Sequence, residues 1–244
     1  MLSGVIRCSF LDVLVVVLDG LSYVFSNTFL WWNKDIERLF KYPGSRRRMM
    51  YVDVIPETPS VMGAFFTLRK FVEGGTIEWV WEIRRDKRIK AINIPARVPP
   101  VYYGVTRPRN WVDYFTPPRE TFLDKLMEYH SFVKRQGHGD ALLVWYPVPD
   151  QAHHHFFPTI NNMESLNTAL YWYGLACRLA VELIEYFKPR RWLVVGDHGF
   201  TSDVSEAPIR ARFHIRETTA ITNYLDPPRK TSEVVYWIAR AIES

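Results

Sequence analysis

Cysteine and glutamine are almost missing from this chain: Cys8 and Cys177 lie far apart, and Gln occurs only at positions 136 and 151. Two distant cysteines do not make the disulfide framework of a small secreted domain, so free thiols are expected. The shortage of Gln, a thermolabile residue, is a compositional mark of heat-adapted proteins. No run reaches the eighteen or so apolar residues that a membrane-spanning helix needs. Arg7 precedes an apolar run, Val13 to Leu18, but that run is short, Asp12 interrupts it and no small-residue cleavage site follows. It therefore reads as a buried strand rather than a signal peptide, and a cytoplasmic protein is expected. Internal repeats, low-complexity tracts and interdomain linkers are also lacking, so residues 1–244 are expected to form a single domain.

The composition that remains is that of a globular protein, with 48% hydrophobic and 23% charged residues. Lys and Arg outnumber Asp and Glu by 31 to 26, a net charge of +5 that favours anionic partners such as phosphoesters or nucleic acid. Part of the excess sits in Arg46, Arg47 and Arg48, and part in Arg84, Arg85, Lys87, Arg88 and Lys90. Both read as solvated segments or turns. Neither interleaves aromatics as a nucleic-acid platform would, so nucleic acid is not expected as a partner.

Short, continuous apolar runs at Val13 to Leu18, Ala141 to Tyr146 and Trp192 to Val195 suit strands buried on both faces of a largely parallel sheet. A fourth candidate, Ile89 to Ile94, stops at Pro95. Between them the periodicity predicts helices at Asp35 to Phe40, Val61 to Phe71, Thr121 to Lys134 and Met163 to Phe187, with a last one at Ser232 to Ile242. In the longest, Leu166, Leu170, Tyr173, Cys177, Ala180 and Ile184 form one stripe, Asn162 is placed to cap the start and Pro189 follows the end. Alternating strands and helices imply a three-layer α/β/α sandwich. From about residue 95 to 118, repeated prolines with Tyr102, Tyr103, Trp111 and Tyr114 forbid long regular elements and suggest a lid.

Each of the strongest strands runs into acidic or imidazole groups: Asp19 after the first, Asp150 after the second, and Asp197 with His198 after the third. Ligand sites in open α/β sheets gather at the carboxyl ends of strands, so separate segments can deliver these groups to one place. Asp150 and His154 share a face if the chain enters a helical turn there, four residues being about one turn. Gly20 and Gly199 let the backbone turn sharply beside these groups. Asp19, Asp150, His154, Asp197 and His198 are nearly enough for two metal sites, with His214 as a further nitrogen ligand; zinc accepts such mixed oxygen and nitrogen sets. A two-metal phosphoryl-transfer site also needs a nucleophile, and Pro56-Glu57-Thr58-Pro59-Ser60 offers two hydroxyls ahead of a helix. A helix N-terminus suits a bound phosphate, although either hydroxyl would also serve as a simple cap.

Leu-Asp19-Gly20, Pro149-Asp150-x-x-x-His154 and Gly-Asp197-His198-Gly199-Phe200 resemble, in order along the chain, the metal motifs of the type I phosphodiesterases and nucleotide pyrophosphatases of the alkaline phosphatase superfamily. The segment from Pro56 to Thr67 is similar to that family's nucleophile motif, which singles out Thr58 over Ser60. Leu68 stands where the family has Gly, and its Asn after the nucleophile is missing. The resemblance implies an alkaline phosphatase-like fold and one metal on Asp150, His154 and His214. A second metal would lie on Asp19, Asp197 and His198, with Thr58 between them. The implied ions are zinc, with manganese or iron as competitors. The implied activity is hydrolysis of a small phosphoester, such as a nucleotide, through a covalent phospho-threonine. A phosphomonoesterase, a phosphonate hydrolase and a noncatalytic binding protein on the same fold are the alternatives.

Overall fold

A computed structural model describes residues 11–56, 58–68, 78–80, 86–95, 105–106, 118–137, 139–200 and 214–244. In chain order the elements are β1 (Val13–Leu18), α1 (Tyr23–Thr28), α2 (Lys34–Phe40), β2 (Arg46–Tyr51), α3 (Thr58–Phe66), β3 (Thr67–Leu68), β4 (Glu78–Trp79), β5 (Ile89–Ile92) and β6 (Val105–Thr106). A 3-10 turn, Arg119–Thr121, leads into α4 (Phe122–Lys134), β7 (Ala141–Tyr146), α5 (Asp150–Phe156) and α6 (Met163–Phe187). The chain closes with β8 (Arg191–Gly196), β9 (Gly199–Phe200), β10 (His214–Ile215), β11 (Glu217–Thr222) and α7 (Thr231–Glu243).

A seven-stranded sheet in the order β2-β11-β8-β1-β7-β5-β6 forms the middle layer. Strand β1 pairs in parallel with both β7 and β8, and β5 pairs in parallel with β7 and β6, whereas β11 runs antiparallel to β8 and β2. The apolar run of β1 is continuous because both faces are covered. Leu14, Val16 and Leu18 join the core beneath α2, α4, α5 and α6, and Val13, Val15 and Val17 join the core beneath α3 and α7. The alternation of side chains along a strand divides one hydrophobic run between two layers.

Local chemistry explains the long helices. Asn162 and Ser165 close a capping box at the start of α6, and Lys188, in a left-handed conformation, ends it just before Pro189. All but Leu166 of its stripe are buried, and Leu166 packs on the same core from a partly exposed position. Cys177 lies in that stripe as a free thiol whose pKa burial pushes above the ordinary range. Among the described residues no helix is long and apolar enough to cross a membrane.

The structure corrects several element boundaries. Helix α3 starts at Thr58 and ends at Phe66, rather than running from Val61 to Phe71, because the chain turns directly into β3, which pairs with β4; residues 69–71 lie outside the described set. The fourth strand stops at Ile92 because Asn93 adopts a positive φ of 57°. Arg46, Arg47 and Arg48 open the edge strand β2 instead of forming a turn. Their heads reach outward acceptors, Arg47 donating to the Phe40 carbonyl and Arg48 to that of Pro227, so the strand keeps its backbone pairing while the charges stay near solvent. Most of the expected lid, residues 96–104 and 107–117, lies outside the described set, as do Cys8, Arg84, Arg85 and His138; Val105 and Thr106 extend the sheet as β6.

Asn33 ties helix α2 to α6, beside the apolar packing of Ile36, Leu39 and Phe40 and the Arg38–Glu185 ion pair. Asn33 caps α2 by accepting from the backbone N–H groups of Asp35 and Ile36, and its amide donates to the Leu170 carbonyl at 2.8 Å. Gly174 permits this approach, since a Cβ there would lie 2.5 Å from the Asn33 amide nitrogen. Asn33→Ala is expected to lower unfolding free energy by about 1–2 kcal/mol in urea denaturation, the usual worth of an N-cap; an unchanged midpoint would show that the cap does not anchor α2.

Candidate metal centre

The three adjacent parallel strands β7, β1 and β8 end side by side, and their carboxyl ends deliver the charged groups. Strand β1 hands over Asp19, β8 hands over Asp197 and His198, and a short turn after β7 leads to Asp150, the first residue of α5. Backbone bonds lock the ends together. The Asp19 N–H donates to the Tyr146 carbonyl at 2.9 Å, and the Asp150 N–H donates to the Asp19 carbonyl at 2.8 Å. Asp197 Oδ1 accepts from the N–H groups of Gly20 at 2.9 Å and His198 at 3.0 Å. Gly20 is required at its position: its φ is +77°, and a Cβ would sit 2.5 Å from the Phe200 ring and 3.2 Å from the Asp150 backbone.

Ligand atoms of Asp19, Asp197 and His198 lie within 4.8 Å of one another, and so do those of Asp150, His198 and His214. His198 therefore stands between the two groups, its ring stacked on that of His214 at 3.7 Å. His214 arrives from the β9–β10 hairpin, where it pairs with Phe200. His154, one turn along α5, reaches Asp150 Oδ1 at 3.5 Å from a half-exposed position at the rim. Thr58, the first residue of α3 and fully buried, donates its hydroxyl to Asp19 Oδ1 at 3.0 Å. All the residues singled out for the site thus gather at one end of the sheet, although the described geometry groups His198, rather than His154, with Asp150 and His214.

The donor set fits divalent cations. Asp19, Asp150, Asp197 and His198 are buried, and Asp19 Oδ2 and Asp197 Oδ2 find no hydrogen-bond partner among the described residues. Buried acids left without partners are costly unless a cation compensates them. His214 Nδ1 donates to the Pro56 carbonyl at 2.9 Å, and His198 Nδ1 faces the Gly199 carbonyl at 3.3 Å. Carbonyls only accept, so each Nδ1 carries a hydrogen, and each Nε2 can act as a ligand once it has given up any proton of its own. Those Nε2 atoms face carboxylates: His198 stands 3.2 Å from Asp19 Oδ1, and His214 stands 3.2 Å from Asp150 Oδ1. Burial, reinforced by the charges of Asp197 and Asp150, holds the Asp19 carboxyl well above its usual range. Burial acts the same way on Asp150, but hydrogen bonding from His154 and His214 outweighs it and holds that carboxyl well below the usual range.

The other histidines separate from this cluster. His153 is buried and stacked on Phe200 at 3.9 Å, and burial lowers its pKa to about 3. His155 packs against Phe122, and His130 is held between Tyr146 and Glu182 in the helical layer. Two supporting residues went unread in the sequence. Glu217 accepts from the Ser22 hydroxyl and from the N–H groups of Tyr23 and Val24, which fastens the segment after Gly20. Tyr173 donates to the Gly20 carbonyl at 3.1 Å from α6. A lone acid in a strand and a tyrosine in an apolar stripe carry no local signal for such roles.

No family model matches the chain, and no curated protein sequence matches it either. Solved structures do. The soluble domain of lipooligosaccharide phosphoethanolamine transferase A from Neisseria meningitidis aligns with a TM-score of 0.57 at 11% identity, over 97% of this chain and 89% of that one. The C-terminal periplasmic domain of EptC from Escherichia coli, in complex with Zn, gives 0.52 at 11% identity over 93% and 75%. An inactive variant of murine ectonucleotide pyrophosphatase/phosphodiesterase 5 in complex with AMP gives 0.50 at 13% identity over 78% and 57%. The chain has the alkaline phosphatase-like fold.

Adding zinc to metal-free protein is expected to raise thermal stability, by about 2.7 kcal/mol when zinc exceeds its Kd a hundredfold. Asp197→Asn should remove most of that gain. A melting curve indifferent to zinc, manganese and iron would argue that no ion binds here.

Proposed function

We propose that this protein is a metal-dependent phosphoester hydrolase of phosphodiesterase type, with Thr58 as nucleophile and two divalent ions, zinc foremost, as cofactors. The observation that carries this reading is the Thr58 hydroxyl donating to Asp19 at the edge of a buried cluster of acids and imidazoles. Asp19, Asp197 and His198 would hold one ion, and Asp150 and His214, with His154 at the rim, the other. Bound there, such ions neutralise the phosphoryl oxygens and favour ionisation of a hydroxyl near neutral pH.

The chain's own groups do the positioning. Because Asp19 engages the Thr58 hydrogen, the lone pairs of Oγ1 are left to face phosphorus. The first turn of α3 has backbone N–H groups without intrahelical partners, which suit the phosphoryl oxygens. Attack forms the Oγ1–P bond and breaks the bond from phosphorus to the departing alcohol, and the Thr58 proton, released through Asp19, balances the one with which the alcohol leaves. Water then cleaves the phospho-threonine ester and restores the hydroxyl. The Zn complex of a protein with the same fold supports zinc, and the AMP complex of another supports a small phosphoester as substrate.

Transfer to an alcohol in place of water is the second reading. Proteins of this fold include phosphoethanolamine transferases, and the same threonine ester can be passed to either acceptor.

With zinc or manganese added, wild-type protein should hydrolyse bis-p-nitrophenyl phosphate faster than p-nitrophenyl phosphate, and Thr58→Ala should reduce kcat by on the order of 10³-fold or more. Turnover by Thr58→Ala at the wild-type rate would refute the nucleophile. A strong preference for the monoester would point to a phosphomonoesterase.

A further inference from the structure

Beside the candidate metal centre, on the side of α1, α5 and α6, lies a cavity of about 380 Å³. Its wall is largely aromatic and aliphatic, built from Phe25, Phe29, Phe157, Tyr173, Phe200 and Ile215. Two of the polar groups in that wall are turned to other partners: the Ser22 hydroxyl is given to Glu217, and the Tyr173 hydroxyl to the Gly20 carbonyl. A volume of this order holds a ring or a short alkyl chain, and apolar walls recognise such groups by excluding water.

The cavity adjoins the proposed reaction site. Phe200 is the partition: one neighbour is His153 in the cavity wall, and its ring lies 5.4 Å from that of His198 and 5.3 Å from that of His214. Ile215 follows His214 directly and lines the same cavity. From the floor, aromatic rings lead outward, Tyr173 to Phe25 at 4.2 Å, Phe25 to Phe29 at 4.9 Å and Phe29 to Trp32 at 5.7 Å, where Trp32 is 63% exposed.

Direction decides what would enter. Thr58 comes from α3, in the layer shared with α7, whereas the cavity lies in the opposite layer with α5 and α6. In an in-line displacement the departing oxygen lies opposite the nucleophile. The group it carries is therefore directed away from α3, toward α5 and the β9–β10 hairpin.

We propose that this cavity receives the apolar alcohol portion, alkyl or aryl, of the substrate, so that the enzyme acts on phosphoesters of apolar alcohols. The inference rests on Thr58 as nucleophile, since that residue sets the direction of departure.

The test is calorimetric titration of metal-loaded Thr58→Ala with methyl, hexyl and benzyl phosphate and with AMP. Hexyl or benzyl phosphate should bind at least about tenfold more tightly than methyl phosphate, given the apolar surface each buries. The stronger of the two tells alkyl from aryl. Val24→Glu, at the exposed rim, should bring the hexyl-to-methyl ratio close to one, and Ile160→Glu provides the same test should the first variant not fold. Equal affinity for methyl, hexyl and benzyl phosphate, or AMP binding tighter than all of them, would overturn the proposal while leaving Thr58-dependent hydrolysis of bis-p-nitrophenyl phosphate standing. Tight hexyl phosphate binding by a wild-type protein that turns over no ester would instead overturn the hydrolase reading and keep the cavity's preference.

Discussion

Three carboxylates, Asp19, Asp150 and Asp197, are buried within one cluster, and the arrangement of the rest of this end of the molecule answers to that constraint. Like charges at such range repel strongly where water is excluded, and a protein relieves them by protonation, by basic partners or by cations. Each solution leaves a mark here. Asp19 is driven toward its protonated form, Asp150 is held ionised by imidazoles, and unpartnered carboxylate oxygens of Asp19 and Asp197 remain for an ion.

Such a cluster needs a rigid frame, and the frame is backbone. Three parallel strands hydrogen-bonded in register bring their ends level, and the N–H groups of Gly20 and His198 fix one oxygen of Asp197 while leaving the other free. The imidazoles are oriented in the same manner, because carbonyls hold their Nδ1 hydrogens and turn their Nε2 atoms inward. Tyr173 and Glu217, from α6 and β11, brace the turn that follows Asp19. The helical layers therefore serve the site as well as the core: one brings in Thr58, and the other supplies both the bracing tyrosine and the cavity lined by Phe25 and Phe157.

The buried strands were legible in the sequence because a strand covered on both faces must be apolar without interruption, and few other structures ask for six such residues in a row. Long helix α6 was legible for a similar reason, since its stripe and its cap are set by local periodicity. Strands β2 and β11 were not. Arg46, Arg47 and Arg48 read as solvent-seeking, and only the neighbouring strand's free backbone groups make an extended edge the better solution. Helix α3 was displaced in the reading because Thr58 and Pro59 look like a turn until α7 offers an apolar face for the first turn to pack on.

By itself the sequence determined which groups were available to the site and that they follow strand ends, because a run of apolar residues closing on Asp is a local pattern set by burial and backbone geometry. Which of those groups come within ligand distance of one another, that His198 stands between Asp150 and Asp19, and that Phe200 lies between the charged cluster and an apolar cavity were decided only by the tertiary structure. Distances between side chains on separate strands depend on register, layer and packing, which the whole fold settles together and no single segment encodes.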